Sequence, residues 1–307
     1  MTLGRSLPDG RTVWFFKEKG FPLNDNSEFD SDAVPSDPIG CPVEAHAYVR
    51  VPFEEIAALR KNPGPSLGTK IPVSLLKHAD PQTVLGLAAL LRAADEAGWR
   101  DRSFADWAVI ASPRFLGRVA SAMVIDRFLR MGASGMSPMI IPTLSLHATA
   151  GSLSLAIQSH GFNYGVGGGP GHLTEALLAG LASRDDGGCP GVWVVATGFD
   201  PEPIPDLAGN SVVPAFGHAV ALALVPEAAG QTRLNLRMVP TAAAGPEPRQ
   251  PAEHPTLAAL GAFLTDAGNG IKVRRWFASL PGGGAFEIED NPARGVAAGD
   301  RRSFRAG

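Results

Sequence analysis

The stretch "GVWVVATG", residues 191–198, constrains the fold more than any other part of this chain. It is apolar throughout, too short for a helix and free of polar alternation. Such a run reads as a strand buried on both faces. A strand of that kind needs a layer above it and a layer below it, and the flanking sequence supplies helices for both. In 81–98, Val84, Leu87, Ala88 and Leu91 fall at helical spacing, with Pro81 suited to the first turn and Gly98 to the stop. The segment 107–112, "WAVIAS", reads as another short buried strand. Residues 114–131 predict a helix with Phe115, Val119, Ala122 and Met123 on one face, and 144–160 predict one with Leu146, Ala150, Leu153 and Ile157 aligned.

The stretch "FNYGVGGGPGHLTEALLAGLA", 162–182, joins a glycine-rich loop to a helix that aligns Leu173, Ala176, Leu177, Gly180 and Leu181. Two further strands are predicted at 215–225 and, half exposed by its alternation, at 232–239. Helices interleaved with buried strands imply a layered α/β/α domain. Residues 1–75 are rich in Pro, Asp, Asn and Gly and read as an N-terminal arm with one or two strands. The α/β domain follows at 76–240. Residues 241–255, "TAAAGPEPRQPAEHP", read as a linker, and 256–307 hold one helix, a strand and a polar tail.

Charge and cysteine usage exclude several classes of function. Lys and Arg total 27 against 30 Asp and Glu, a formal net charge of -3. No basic run marks a nucleic-acid surface. Cys41 and Cys189 stand outside any metal-ligand spacing, so no metal site is expected. No apolar stretch reaches the length of a membrane span or a signal peptide, and the expectation is a cytoplasmic protein with reduced thiols.

The glycine loop admits two readings. Backbone N–H groups at the start of a helix favour an anion, which would place it on Gly168, Gly169, Gly171 and His172. Specific phosphate-loop signatures are absent: no Gly-Lys-Ser/Thr closes the loop, and no acidic residue follows where a ribose site needs one. The other reading is an elbow of the kind that mounts a nucleophile. Lone histidines at 147, 160, 172 and 218 read first as structural groups, with His172 the weak candidate for chemistry.

The order of these segments resembles the N-terminal half of the β-ketoacyl synthases, within the thiolase-like superfamily. The resemblance runs from about Lys77 to Glu227. It is carried by "KHADPQTVLGLAALLRAADEAGW", "SLHATAGSLSLAIQSHGFNYGV", "EALLAGLASRDDGGCPGVWVVATGFDPEP" and "AFGHAVALALV". It implies a thiolase-like α/β/α domain with a mixed, largely parallel sheet, its C-terminal repeat truncated or absent. In that family a cysteine sits on the elbow, where a helix N-terminus lowers the thiol pKa and backbone N–H groups stabilise an oxyanion. Here the counterpart is Pro170, or Gly169 with a one-residue slip. Neither attacks a thioester, and proline also lacks the N–H. The family's two C-terminal histidines have no counterpart; His254 lies outside any such context.

The resemblance therefore implies a non-condensing protein of fatty-acid or polyketide-type synthesis, without a cofactor. Such a subunit, like a chain-length factor, pairs as a homodimer or with an active ketosynthase and meets an acyl carrier protein or acyl-CoA. Its dimer strand would be Phe162, Asn163, Tyr164 and Val166. Two alternatives stay open. One is an active acyl-thioester transferase or hydrolase using His172 or a bound water. The other is a stand-alone acyl- or anion-binding module.

Overall fold

The computed structural model describes residues 2–6, 12–16, 39–67, 71–138, 142, 144–185, 188–206, 210–226, 232–240, 256–267, 272–280 and 284–292. The linker read at 241–255, the polar tail and His254 lie outside them. The chain divides into two units, Met1–Asp37 and Pro38–Gly307. In the first, β1 (Thr2–Ser6) and β2 (Thr12–Phe16) form an antiparallel pair with Thr2 opposite Phe16.

The second unit is built on an eight-stranded sheet. Its strands are β3 (Gly40–Pro52), β4 (Ala108–Pro113), β5 (Asn163–Gly165), β6 (Val192–Asp200), β7 (Phe216–Leu224), β8 (Leu234–Val239), β9 (Arg274–Ser279) and β10 (Ala285–Asp290). Their order across the sheet is β5-β4-β6-β7-β3-β8-β10-β9. Helices α1 (Ile56–Lys61), α2 (Val73–Lys77), α3 (Pro81–Glu96), α4 (Arg118–Met131), α5 (Leu146–Ala156), α6 (His172–Asp185) and α7 (Leu257–Asp266) complete the unit.

The layered α/β/α expectation holds. One core joins α3 and α5 to the sheet through Val84, Leu87, Leu91, Leu153, Val109 and Val195. The other joins α6 and α7 through Leu173, Leu177, Leu260, Ile110, Val194 and Phe286. Alternate residues of β4 and β6 enter opposite cores, and all of Val192–Phe199 is buried, as the apolar run requires.

The sheet itself is not largely parallel, and that expectation is corrected. Only β4 with β5 and β4 with β6 pair in parallel; the other pairings are antiparallel. The reason is topological. In the block β5-β4-β6-β7-β3, β7 runs against both of its neighbours, so one reversed strand makes two antiparallel seams. Beyond β3 the sheet continues as antiparallel β8, β10 and β9; β9 and β10 follow one another in the chain, and α7 lies between β8 and β9.

Three local readings also change. Residues 40–52, read as part of an arm, form a 13-residue strand inside the sheet. Residues 256–290 contribute two strands rather than one. The helix read at 114–131 begins only at Arg118, because Phe115 (φ 53°) and Gly117 (φ 73°) turn the chain first. Along that helix Val119 is the one buried residue, and Met123 is exposed.

Candidate functional site

The parallel strands β5, β4 and β6 all deliver their C-terminal ends to one edge of the molecule, the side on which open α/β sheets bind ligands. The glycine loop lies there. Val166 N–H donates to the Ala111 carbonyl at 3.0 Å, so β5 stays in register with β4 up to the loop. Gly167 (φ 75°) and Gly168 (φ 106°) then adopt backbone conformations that L side chains resist. Space makes the same demand at Gly167, whose missing Cβ would lie 2.9 Å from both His172 Cα and Ser112 Oγ. Phe115 N–H donates to the Gly168 carbonyl at 2.9 Å, tying the loop to the end of β4.

Gly169 opens a tight turn, with His172 N–H donating to its carbonyl at 3.2 Å. The α-helical ladder starts one step later. Glu175 N–H and Thr174 Oγ1 both donate to the Gly171 carbonyl, at 3.1 and 2.8 Å. Helix α6 thus begins at His172. Gly171 occupies the cap, and Gly169-Pro170 forms the turn ahead of it instead of the cap and first turn. Pro170 is exposed, while a Cβ on Gly169 would meet nothing within 4 Å. The position therefore has room for a side chain and carries none.

No residue from 165 to 171 carries a nucleophilic side chain. Ser112 Oγ, beside Gly167, is buried and donates to the His172 carbonyl at 2.7 Å. His172 is 2% exposed, and neither ring nitrogen has a hydrogen-bond partner. Burial, reinforced by the Arg114 charge, lowers its pKa to about 4. The carbonyls of Pro170 and Gly169 pull weakly the other way, without meeting the ring in hydrogen-bonding geometry. At neutral pH the imidazole is uncharged.

Around this elbow lies a polar set that sequence reasoning missed. Arg114, just past β4, crosses β6 over Gly198, where a Cβ would sit 3.2 Å from its own Cβ. It pairs with Glu202 at 3.2 Å and donates to the Phe199 carbonyl. Its own carbonyl accepts from Gln82 Nε2 at 2.7 Å, and Gln82 Oε1 accepts from Thr197 at 3.0 Å. His218, opposite Gly198 on β7, is buried, and its Nδ1 shares a 2.7 Å hydrogen bond with Tyr48 OH. Desolvation first, then Arg50 and Arg114, lowers the His218 pKa. The available signal was the polar triplet "SPR" ending an apolar strand. The Tyr48–His218 pair leaves no local trace.

The remaining sequence candidates scatter. His147 and His160 are exposed, Cys41 is buried within β3, and Cys189 is half-buried before β6. The strand Phe162–Val166 forms one edge of the sheet, with Phe162 exposed and its ring stacked on Tyr164 at 5.9 Å. Tyr164 OH meets Ser183 Oγ of α6 at 2.6 Å. The opposite edge, β9, presents Arg274 and Arg275 instead. Among the described residues no helix is long and apolar enough to cross a membrane, and no group of three His, Cys, Asp or Glu could hold a metal.

No protein-family model matches the chain, and no curated protein does. Among solved structures it is similar to a ketosynthase in complex with its chain length factor from Xenorhabdus doucetiae. The identity is 14% and the TM-score 0.49, over 81% of this chain and 98% of that one. It is similar to the ishigamide ketosynthase/chain length factor at 15% identity and TM-score 0.49, with the same coverage. A third likeness is to a beta-ketoacyl synthase from Burkholderia phymatum, at 13% identity and TM-score 0.44, over 66% of this chain and 63% of that one.

Proposed function

We propose that this chain is a ketosynthase-like subunit that does not condense acyl chains and acts by pairing with an active ketosynthase. The setting would be fatty-acid or polyketide-type synthesis. The observation that carries this reading is the elbow: a strand, a glycine turn and a helix, with no nucleophilic side chain from Gly165 to Gly171. Gly169 has no side chain, Pro170 has neither nucleophile nor N–H, and the nearby hydroxyls of Ser112 and Thr174 donate to the His172 and Gly171 carbonyls. The sequence resemblance supplies the family.

The partner surface on this reading is β5. It ends the sheet without a charged residue and carries two stacked aromatic rings, whereas β9 ends it with guanidinium groups that discourage strand addition. A hydrolase using His172 is less well supported. Its imidazole has no orienting carboxylate, and a base with a pKa of about 4 is a weak proton acceptor at neutral pH. An anion-binding module at the Gly168–His172 turn is disfavoured because the Glu175 carboxylate already stands there, 3.1 and 3.4 Å from where Cβ atoms on Gly167 and Gly171 would lie.

Coexpression of the tagged chain with its cognate ketosynthase tests the proposal. The expected result is a co-purifying complex, lost with Phe162→Asp, and no mass added to this chain after incubation with acyl-CoA. Absence of the complex, or acylation within 165–175, would overturn it.

A further inference from the structure

Arg60 is a charge without a carboxylate. It sits partly buried in the last turn of α1. Its Nη1 donates to the Leu76 and Ala79 carbonyls, the second at 2.8 Å. Among the described residues no hydrogen bond reaches its Nε or Nη2, and no carboxylate pairs with it. Other partly buried arginines are held differently: Arg102, Arg114, Arg233 and Arg237 each pair with an Asp or Glu. Asp80 acts on Arg60 only through its field, without an ion pair. The Asp80 carboxylate is committed to the start of α3, where it accepts from the Gln82 N–H at 2.8 Å. A guanidinium partly removed from water gains most from a planar oxyanion partner, and Arg60 has none among the described residues.

Arg60 lines a cleft of about 660 Å³, within the range of small-molecule sites. One wall is the single turn Phe53–Glu55 with the start of α1; the other is Asn210–Pro214, which leads into β7. Phe53 N–H donates to the Ala215 carbonyl at 2.9 Å and holds the two walls together. Phe53, Ile56, Pro81, Val212, Val213 and Pro214 make most of the lining apolar, and Val212 stands 62% exposed. Glu54 is the acidic residue of the lining, and it forms no ion pair with Arg60. One guanidinium among apolar walls favours a single negative charge on an apolar body. Glu54 opposes a second negative charge.

We propose that this cleft is a binding site for a monocarboxylate with an apolar body. The carboxylate accepts from Nε and Nη2 of Arg60 in a two-pronged pair, and the body lies along Phe53, Ile56, Val212 and Val213. The site uses neither the glycine elbow nor β5, so its failure would leave the ketosynthase-partner reading untouched.

Isothermal titration calorimetry of the purified full chain with octanoate tests it, beside octanol as the uncharged analogue and suberate as the dianion. One octanoate per chain is expected, bound at least about tenfold more tightly than octanol and more tightly than suberate. Arg60→Met should abolish the preference for octanoate over octanol. Because Arg60 also holds two backbone carbonyls, two variants at exposed positions keep the test decisive if that one fails to fold. Val212→Asp should weaken octanoate at least about tenfold, and Glu54→Gln should tighten it about two- to threefold, both with unchanged circular dichroism. Absence of octanoate binding overturns the proposal, as does equal affinity for octanol or for suberate. Octanoate binding indifferent to Arg60→Met or to Val212→Asp places the ligand elsewhere and overturns it too.

Discussion

The buried imidazole of His172 gives stability a pH dependence of definite sign. Its folded pKa of about 4 lies below the ordinary histidine value of 6.5, so between these values the unfolded chain binds a proton that the folded chain refuses. Unfolding free energy therefore falls as pH drops from 6.5 to 4, by roughly 3 kcal/mol at 1.36 kcal/mol per pKa unit. Urea melts across this range should show that slope, and His172→Leu should remove its share, leaving what His46 and His218, also lowered by burial, contribute. The same variant also removes two unpaired buried nitrogens. At pH 7 it should leave stability unchanged or raise it by about 1 kcal/mol. A large loss at pH 7 would mean that the ring has a partner essential to the fold.

At the scale of elements, the strand–loop–helix unit contains two glycines with opposite requirements. A Cβ on Gly165 would lie 2.2 Å from the Leu146 carbonyl oxygen, which belongs to a helix backbone and cannot move aside. Gly165→Ala should cost more than about 3 kcal/mol or prevent soluble expression. Gly169, four residues on, faces open space without a left-handed φ. Gly169→Cys should fold within about 0.5 kcal/mol of the parent in thermal melts, the range of surface substitutions away from special features. Helix α6 was legible because Leu173, Leu177 and Leu181 repeat at its period, and β6 because its run is unbroken. Strand β3 was not, although Val43, Ala45, Ala47 and Val49 alternate into the core. Its inward residues are mostly small, Pro42 interrupts the start, and the Pro- and Asp-rich residues before it suggested a loop. Helix α4 erred the other way: its apolar residues read as core, but the burial they signal is not satisfied within the chain. Of the site, the glycine loop was visible and Arg114 was not, because its role depends on the register that brings Gly198 beneath it.

At the scale of the whole molecule, the sheet joins two blocks through one early strand. Strand β3 pairs with β7 along Val43–Pro52 and with β8 along Gly40–Val43, and among the described residues no other strand pairing joins the two blocks. A chain ending at residue 210 lacks β7 and leaves β3 without either neighbour. Such a fragment should show no cooperative unfolding transition, and calorimetry on it checks this. A full transition would mean that the α3–β4–β6 core is self-sufficient. The same pairing sets the timing of folding. Tyr48 and His218, which share a hydrogen bond, are 170 residues apart in sequence. Of the eight strands of this sheet β3 is synthesised first, and it waits through the residues between Pro52 and Phe216 before β7 exists. Loop closure of that length slows folding and leaves strand edges open to wrong partners meanwhile. The structure thus carries a kinetic liability: a nascent chain with an unpaired 13-residue strand, and a need for shelter until β7 has been made.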